Sequence, residues 1–309
     1  MEKPLKNNEI QLKIQENHSS CALSKKQMNI EDFMVVQSWC MKEGWNVGKY
    51  DNTFYYQIDP KGHFLFFKEQ NPIGSMSLVK HSNQFFTIGP FIVIESERGI
   101  GYGSQIWQQV ITRLNNYPDA NVLLYAVPQQ IARYQEEGFK PCQNHLRWVI
   151  NSPLFSSEKD QHQVYPVSLK SLNRIFEFDQ NIFGYCRKNT LTSVLSHPQI
   201  NGYYVEADNT IVGYGLIRPC IHGYRIGPLY ANNADIAKLL LMKLVAIAGR
   251  ENIILDIPEM NVTGQKLMLN LGAKRDISCD TMMMVKGNLS SEFEFNIEKN
   301  YGLFSLEIG

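Results

Sequence analysis

Arg98-Gly99-Ile100-Gly101-Tyr102-Gly103-Ser104 decides how this chain is read. It follows an apolar strand-like run, 91–94, and leads into a helix-like run, Gln105-Ile-Trp-Gln-Gln-Val-Ile. A strand, a basic glycine-rich turn and a helix start make a device for holding phosphates. Glycines let bare backbone N–H groups approach an anion. The first helical turn adds unpaired donors and the positive end of its dipole, and Arg98 adds charge at the rim. Such turns also serve as plain connections, so the flanking segments must give this one its meaning.

Upstream, Asn29-Ile-Glu-Asp32 reads as a helix start, with Phe33, Val36, Trp39 and Cys40 on one face. Four strand-like segments follow at about 54–58, 63–68, 73–80 and 85–94, with turns at Asp59-Pro-Lys-Gly62 and Lys68-Glu-Gln-Asn-Pro72. Downstream, the helix after the turn runs to about Asn116. A strand (121–126), a helix (129–137) and a closing strand (142–150) come next.

Arg98-x-x-Gly101-x-Gly103 resembles the Q/R-x-x-G-x-G/A pattern of the GNAT acetyltransferases. Val122-Leu-Leu-Tyr-Ala126, followed by Tyr134-x-x-x-Gly138-Phe139, resembles the segment whose tyrosine faces the cofactor sulfur in that family. Glu43-Gly-Trp-Asn-Val-Gly48 through Asp59-Pro60, then Ile73-Gly-Ser-Met-Ser77, is similar to the front half of the same domain. The resemblance covers about residues 30–150. It implies that residues 98–104 hold the pyrophosphate of acetyl-CoA. The cofactor residues it implies are Ile92, Val93, Ile94, Arg98, Gly99, Ile100, Gly101, Tyr102, Gly103 and Ser104. A backbone N–H of the 91–94 strand would face the thioester oxygen, where charge develops. Tyr134 would protonate the departing thiolate.

Asn151-Ser-Pro-Leu-Phe-Ser-Ser-Glu-Lys-Asp-Gln-His162 reads as a linker. Beyond it the element order repeats. Helices are expected at about 168–180 and 189–196, and strands at 201–206, 211–218 and 222–230. A helix (234–249), a strand (252–256), a helix (262–271) and a last strand (279–286) complete the order. Tyr224-Arg-Ile-Gly-Pro-Leu-Tyr-Ala231, Ile253-Ile-Leu-Asp-Ile-Pro-Glu-Met-Asn261 and Asp179-x-x-x-Phe183-Gly184-x-x-Arg187 resemble the divergent C-terminal GNAT module of proteins related to the YitH group. The expected fold is therefore α+β, two tandem GNAT-like domains, each a twisted mixed β-sheet flanked by helices. The expected boundaries are an arm at 1–28, domains at 29–150 and 164–309, and a linker at 151–163. The second copy departs from the pattern. Its turn, Asn232-Asn-Ala-Asp-Ile-Ala237, has no glycine, and aligning Gly272 with Gly138 puts Met268 where Tyr134 stands. Either this half binds cofactor with a different acid or none, or it is a decayed copy shaping the substrate cleft; the second is preferred.

The 309 residues suit two domains, and 44% apolar content suits ordinary cores. A formal net charge of zero gives no sign of nucleic-acid binding. No apolar run approaches the ~18 residues of a membrane span. The polar start lacks a signal-peptide core, so a cytoplasmic location is expected. Six scattered cysteines without a Cys-x-x-Cys pair read as reduced thiols, with no metal site expected.

The attacking amine must lose a proton, and Asp51, His63, His81 and Glu95 are candidate bases; Glu95, just after the cofactor strand, is favoured. Trp45, in a glycine-bounded loop, and Asp51 are candidates for the acceptor pocket. Trp39 and Met282-Met-Met284 read as core. Asp256, at a strand end, either contacts substrate or caps the next helix. Cys142 has no motif placing it as a nucleophile. The leading expectation is direct acetyl transfer from acetyl-CoA to an amine. A non-catalytic acyl-CoA-binding module and a protein acetyltransferase remain alternatives. The sequence sets neither acceptor nor oligomeric state.

Overall fold

The computed structural model describes residues 22–151, 162–287 and 295–309. The first half runs β1 (Ser24–Gln27), α1 (Asp32–Lys42), α2 (Asp51–Ile58), β2 (His63–Lys68), β3 (Asn71–Lys80), β4 (Phe85–Val93), α3 (Tyr102–Ile111), β5 (Asn121–Ala126), α4 (Ile131–Glu136) and β6 (Lys140–Ile150). The second half runs β7 (Gln163–Pro166), α5 (Leu172–Phe183), α6 (Lys188–Leu195), β8 (Asn201–Ala207), β9 (Thr210–Pro219) and β10 (Tyr224–Ala231). It continues with α7 (Ala234–Ala248), β11 (Ile253–Pro258), α8 (Val262–Asn270), β12 (Lys274–Arg275), β13 (Thr281–Lys286) and β14 (Asn300–Gly302). The expected linker lies mostly outside the described residues, as does the expected arm up to residue 21. The arm's last part forms β1, which pairs antiparallel with β2. All four β1 side chains are exposed, so no apolar alternation marks the strand in the sequence.

The expected strand at 54–58 is a helix. Phe54-Tyr-Tyr has strand propensity, but the buried positions are Asp51, Phe54, Tyr55 and Ile58. That is helical spacing, and tertiary burial overrides propensity here. α1 forms as expected: Phe33, Val36, Trp39 and Cys40 are its buried face. Asn29 and Asp32 exchange side-chain-to-backbone hydrogen bonds at 2.9 Å where it starts, satisfying donors that a helix start leaves open.

The strands form one sheet in the order β1-β2-β3-β4-β5-β13-β6-β11-β10-β9-β8-β7. β13 comes from the second half yet lies between β5 and β6, antiparallel to both. β6 of the first half pairs in turn with β11 of the second, from Ile253↔Ile150 to Pro258↔His145. Each half thus contributes a strand to the other's sheet.

The two halves share a fork. β4 and β5 pair in parallel up to Ile88↔Leu124 and then separate. β10 and β11 pair only at Tyr224↔Ile253 and Arg225↔Ile254 before separating. Both forks begin at an Ile-Gly-Pro triplet, Ile88-Gly89-Pro90 and Ile226-Gly227-Pro228. In the second half β14 fills the fork. It pairs with β10, and the next residue, Leu303, donates its N–H to Asp256 O at 2.8 Å.

Candidate active site

The turn of residues 98–101 sits at the mouth of the open first fork. Gly99 (φ +80°) and Gly101 (φ +90°) hold left-handed backbone, which glycine adopts without strain. A Cβ on either would meet nothing within 4 Å, so open space lies above the turn. No side chain among the described residues caps α3. The second half differs: Asn233 Oδ1 accepts from Ile236 N–H at 3.0 Å and occupies that position at the start of α7.

A groove of about 630 Å³ runs from this turn along β4 to α4. Ile92, Val93, Arg98, Gly99, Gly101, Gly103 and Ser104 line it. Of the other expected cofactor residues, Ile94 hydrogen-bonds back to Ile73 O at 2.9 Å, and Ile100 points to solvent. Tyr102 is buried beneath Lys68, whose ammonium lies 5.7 Å from the ring centre. Arg98 is half-exposed, bonds Val93 O at 2.8 Å and pairs with Glu43. Arg133 was not anticipated. Its guanidinium would stand 3.0 Å from a Cβ on Gly103, so a second cation flanks the first turn of α3.

The groove opens at its inner end on a cavity of about 100 Å³. Tyr134, Phe91, Trp45, Val127 and Gln130 belong to both. Tyr134 is 8% exposed, against Trp107 and Phe139, and burial pushes its phenol up to about 12. It therefore stays protonated at neutral pH. The second half's counterpart keeps the same turn. Ala273 N–H bonds Met268 O as Phe139 N–H bonds Tyr134 O, and Gly272 and Gly138 both have positive φ. Met268 stands in the tyrosine's place and has no proton to give.

Two residues expected at the site lie elsewhere. Glu95 is exposed and lines neither groove nor cavity; Glu97 faces the groove instead and pairs with Lys68. Asp51 is buried behind the cavity, where Arg218 Nε, Gly48 N and Tyr55 Oη all bond its carboxylate at 3.0 Å. The candidate histidines are structural as well. His63 is held by Ser77 Oγ and Tyr55 O, and burial lowers its pKa to about 4. His81, in the turn between β3 and β4, lies buried between Thr87 and Thr190 of the other half, and burial lowers it to about 3.

The first half also supplies Ile88, Gly89, Pro90, Leu124 and Tyr125, and the remaining wall comes from residues that local sequence reading did not place at the site. The second half supplies Ser278, Cys279, Thr281, Leu306 and Glu307, and β6 supplies Arg147. Arg147 is anchored by Asp256 at 2.8 and 3.1 Å and donates to Trp45 O at 3.1 Å. Burial alone would raise the pKa of Asp256, but Arg147 and then Arg225 hold it below the ordinary value. Asp256 thus neither caps a helix nor lines the cavity; it ties β6 to β11. The repeated Ile-Gly-Pro triplet was the one legible sign of the paired forks.

Two family models match the chain. The Acetyltransferase (GNAT) family matches residues 30–139, and an Acetyltransferase (GNAT) domain matches residues 175–294. Together they span about three quarters of the chain. A holothin acyltransferase from Pseudoalteromonas sp. (strain SANK 73390) is 25% identical over 241 residues, 77% of this chain and 80% of that protein. A solved structure from Pyrococcus horikoshii, assigned only provisionally as an acetyltransferase, superposes with a TM-score of 0.76 at 21% identity. It covers 95% of this chain and 98% of that one. A tandem GNAT protein from the clavulanic acid biosynthesis pathway superposes at 0.61 with 11% identity, covering 85% and 98%. The chain belongs to the GNAT family, with two of its domains in tandem, and is an acyltransferase.

Proposed function

We propose that the chain transfers acetyl from acetyl-CoA directly to a compact amine, and that the first half alone holds the cofactor. The observation that carries this reading is the contrast between the two forks. The first is open, ends at an uncapped helix and leads past Tyr134 into a cavity. The second is filled by β14, capped by Asn233 and faced by methionine. An uncapped first turn offers backbone donors and a positive dipole end to a diphosphate. The free edge of β4 beyond Ile88 offers unpaired backbone groups to a pantetheine arm. Arg98 and Arg133 supply positive charge, with Glu43 giving up Arg98 to the phosphate.

Holding amine and thioester side by side supplies much of the rate. A strand N–H beside the carbonyl stabilises the developing oxyanion, and Tyr134 protonates the leaving sulfur. The cavity's small size and its walls from both halves favour a small-molecule acceptor over a protein lysine. The similarity to a holothin acyltransferase points the same way.

Titration calorimetry of acetyl-CoA into the purified chain tests the reading. One site per chain is expected, and it should vanish when Gly101 and Gly103 are replaced by leucine. Two sites, or one site untouched by those changes, would move the cofactor out of the first half.

A further inference from the structure

We infer that Glu307, carried by the segment after β14, receives the proton of the attacking amine in the first half's cavity. The inference rests on the transferase reading above.

All four acids and histidines suggested by sequence lie away from the cavity or are fully engaged. Among the described residues, five titratable side chains line it: Tyr125, Tyr134, Arg147, Cys279 and Glu307. Arg147 is committed to Asp256. Burial raises the phenols of Tyr125 and Tyr134 and the thiol of Cys279, so none of the three is a base near neutrality. Glu307 is the one carboxylate among them.

Its position is built. Residues 303–308 cross from the second fork to the first and pass over both glycines that open them. A Cβ on Gly227 would stand 2.0 Å from Leu303 O, and one on Gly89 would stand 2.8 Å from Glu307 O. Ser305 Oγ donates to Glu307 Oε2 at 2.5 Å and accepts from Glu307 N–H at 3.0 Å, and Tyr55 Oη lies 3.3 Å from the same oxygen. Oε1 makes no hydrogen bond among the described residues. One oxygen therefore anchors the carboxylate while the other is left for a ligand. The charged and titratable groups around it are Cys40 of α1, Asp51 and Tyr55 of α2, Arg218 of β9 with Cys220 just after it, and Arg225 of β10. Arg225 stands 3.7 Å from Oε2 and shares its charge with Asp256 at 3.6 Å.

An ammonium acceptor gives one proton to Glu307, and its lone pair forms the C–N bond as the thioester C–S bond breaks. Tyr134 protonates the sulfur and is restored by the second proton the nitrogen sheds. The products are amide, free thiol and one proton, which Glu307 passes to solvent.

The test measures kcat/KM for an amine panel from pH 6 to 9.5 in the wild type, Glu307→Gln and Glu307→Asp, with acetyl-CoA affinity by calorimetry alongside. Glu307→Gln should lose about 10²-fold or more at neutral pH while keeping its acetyl-CoA affinity. Its deficit should shrink as pH rises and the amine arrives already neutral. A merely structural role would leave the deficit constant with pH. A Gln variant within about threefold of wild type, or a pH-independent deficit, overturns the inference. Should the Gln variant not fold, Glu307→Asp decides, because its carboxylate is drawn back by one methylene. A tenfold loss in kcat with intact cofactor binding is expected, and an unchanged kcat overturns the inference. If the wild type turns over no amine while binding acetyl-CoA, the transferase reading itself fails, and this assignment with it.

Discussion

At Tyr134 the first half carries a hydroxyl where the second half has the thioether of Met268. Tyr134→Phe keeps the ring against Trp107 and Phe139, so cofactor affinity should stay within about twofold. Turnover should fall by about 10²-fold, the low end for general acids, because a thiolate leaves readily. The check is steady-state kinetics beside acetyl-CoA calorimetry. With the phenol at about 12, its ionisation should produce no alkaline limb below about pH 10. The buried histidines give a second expectation. His63, His81 and His145 sit near 4, 3 and 4 in the folded chain, against 6.5 as the ordinary value. Each favours the folded state fully above pH 6.5, and that advantage drains away as pH falls towards 4. The unfolded chain gains protons first, by on the order of 3 kcal/mol for each histidine. The thermal midpoint should decline steadily between pH 6.5 and 4; a flat midpoint would contradict it. Tyr134 and the glycine turn were legible because their motif is local. Asp51 was not, because the arginine that neutralises it lies 167 residues away.

At the scale of elements, the filling of the second fork makes Gly227 a packing requirement. It is not in the left-handed region, and the residue it must admit is backbone. Gly227→Ala should cost about 1–3 kcal/mol or more by overpacking, read as a lower urea midpoint. Gly101→Ala meets nothing within 4 Å and costs only its left-handed φ, roughly 1 kcal/mol. Equal losses for the two would argue against this placement of residues 303–304. Most elements of both halves could be read from their periodicity. α2 could not, since its aromatic residues carry strand propensity and only long-range packing exposes the helical stripe. β1 and β14 were missed for the opposite reason: too short, or too exposed, to show any pattern.

At the scale of the molecule, the interleaving of β13 and β6 was beyond sequence reading. Strand partners leave no local trace, and β13 reads equally well as the closing strand of its own half. Asp256, bonded to Arg147 on β6 and facing Arg225 on β10, sits on the seam. Asp256→Ala strands the buried Arg147 guanidinium, leaves Arg225 only the Glu307 carboxylate, and should cost about 3–5 kcal/mol. Scanning calorimetry should show one cooperative transition in the wild type, moved to lower temperature by that change. Two resolved transitions would mean the halves melt independently. The strand exchange also bears on how the chain could be cut. A protease site inserted between residues 152 and 161 would sever the polypeptide without separating its parts, since each fragment keeps a strand lodged in the other. The nicked protein would behave as a tight heterodimer, and the two pieces made separately would be split-enzyme partners, inert alone and active once mixed.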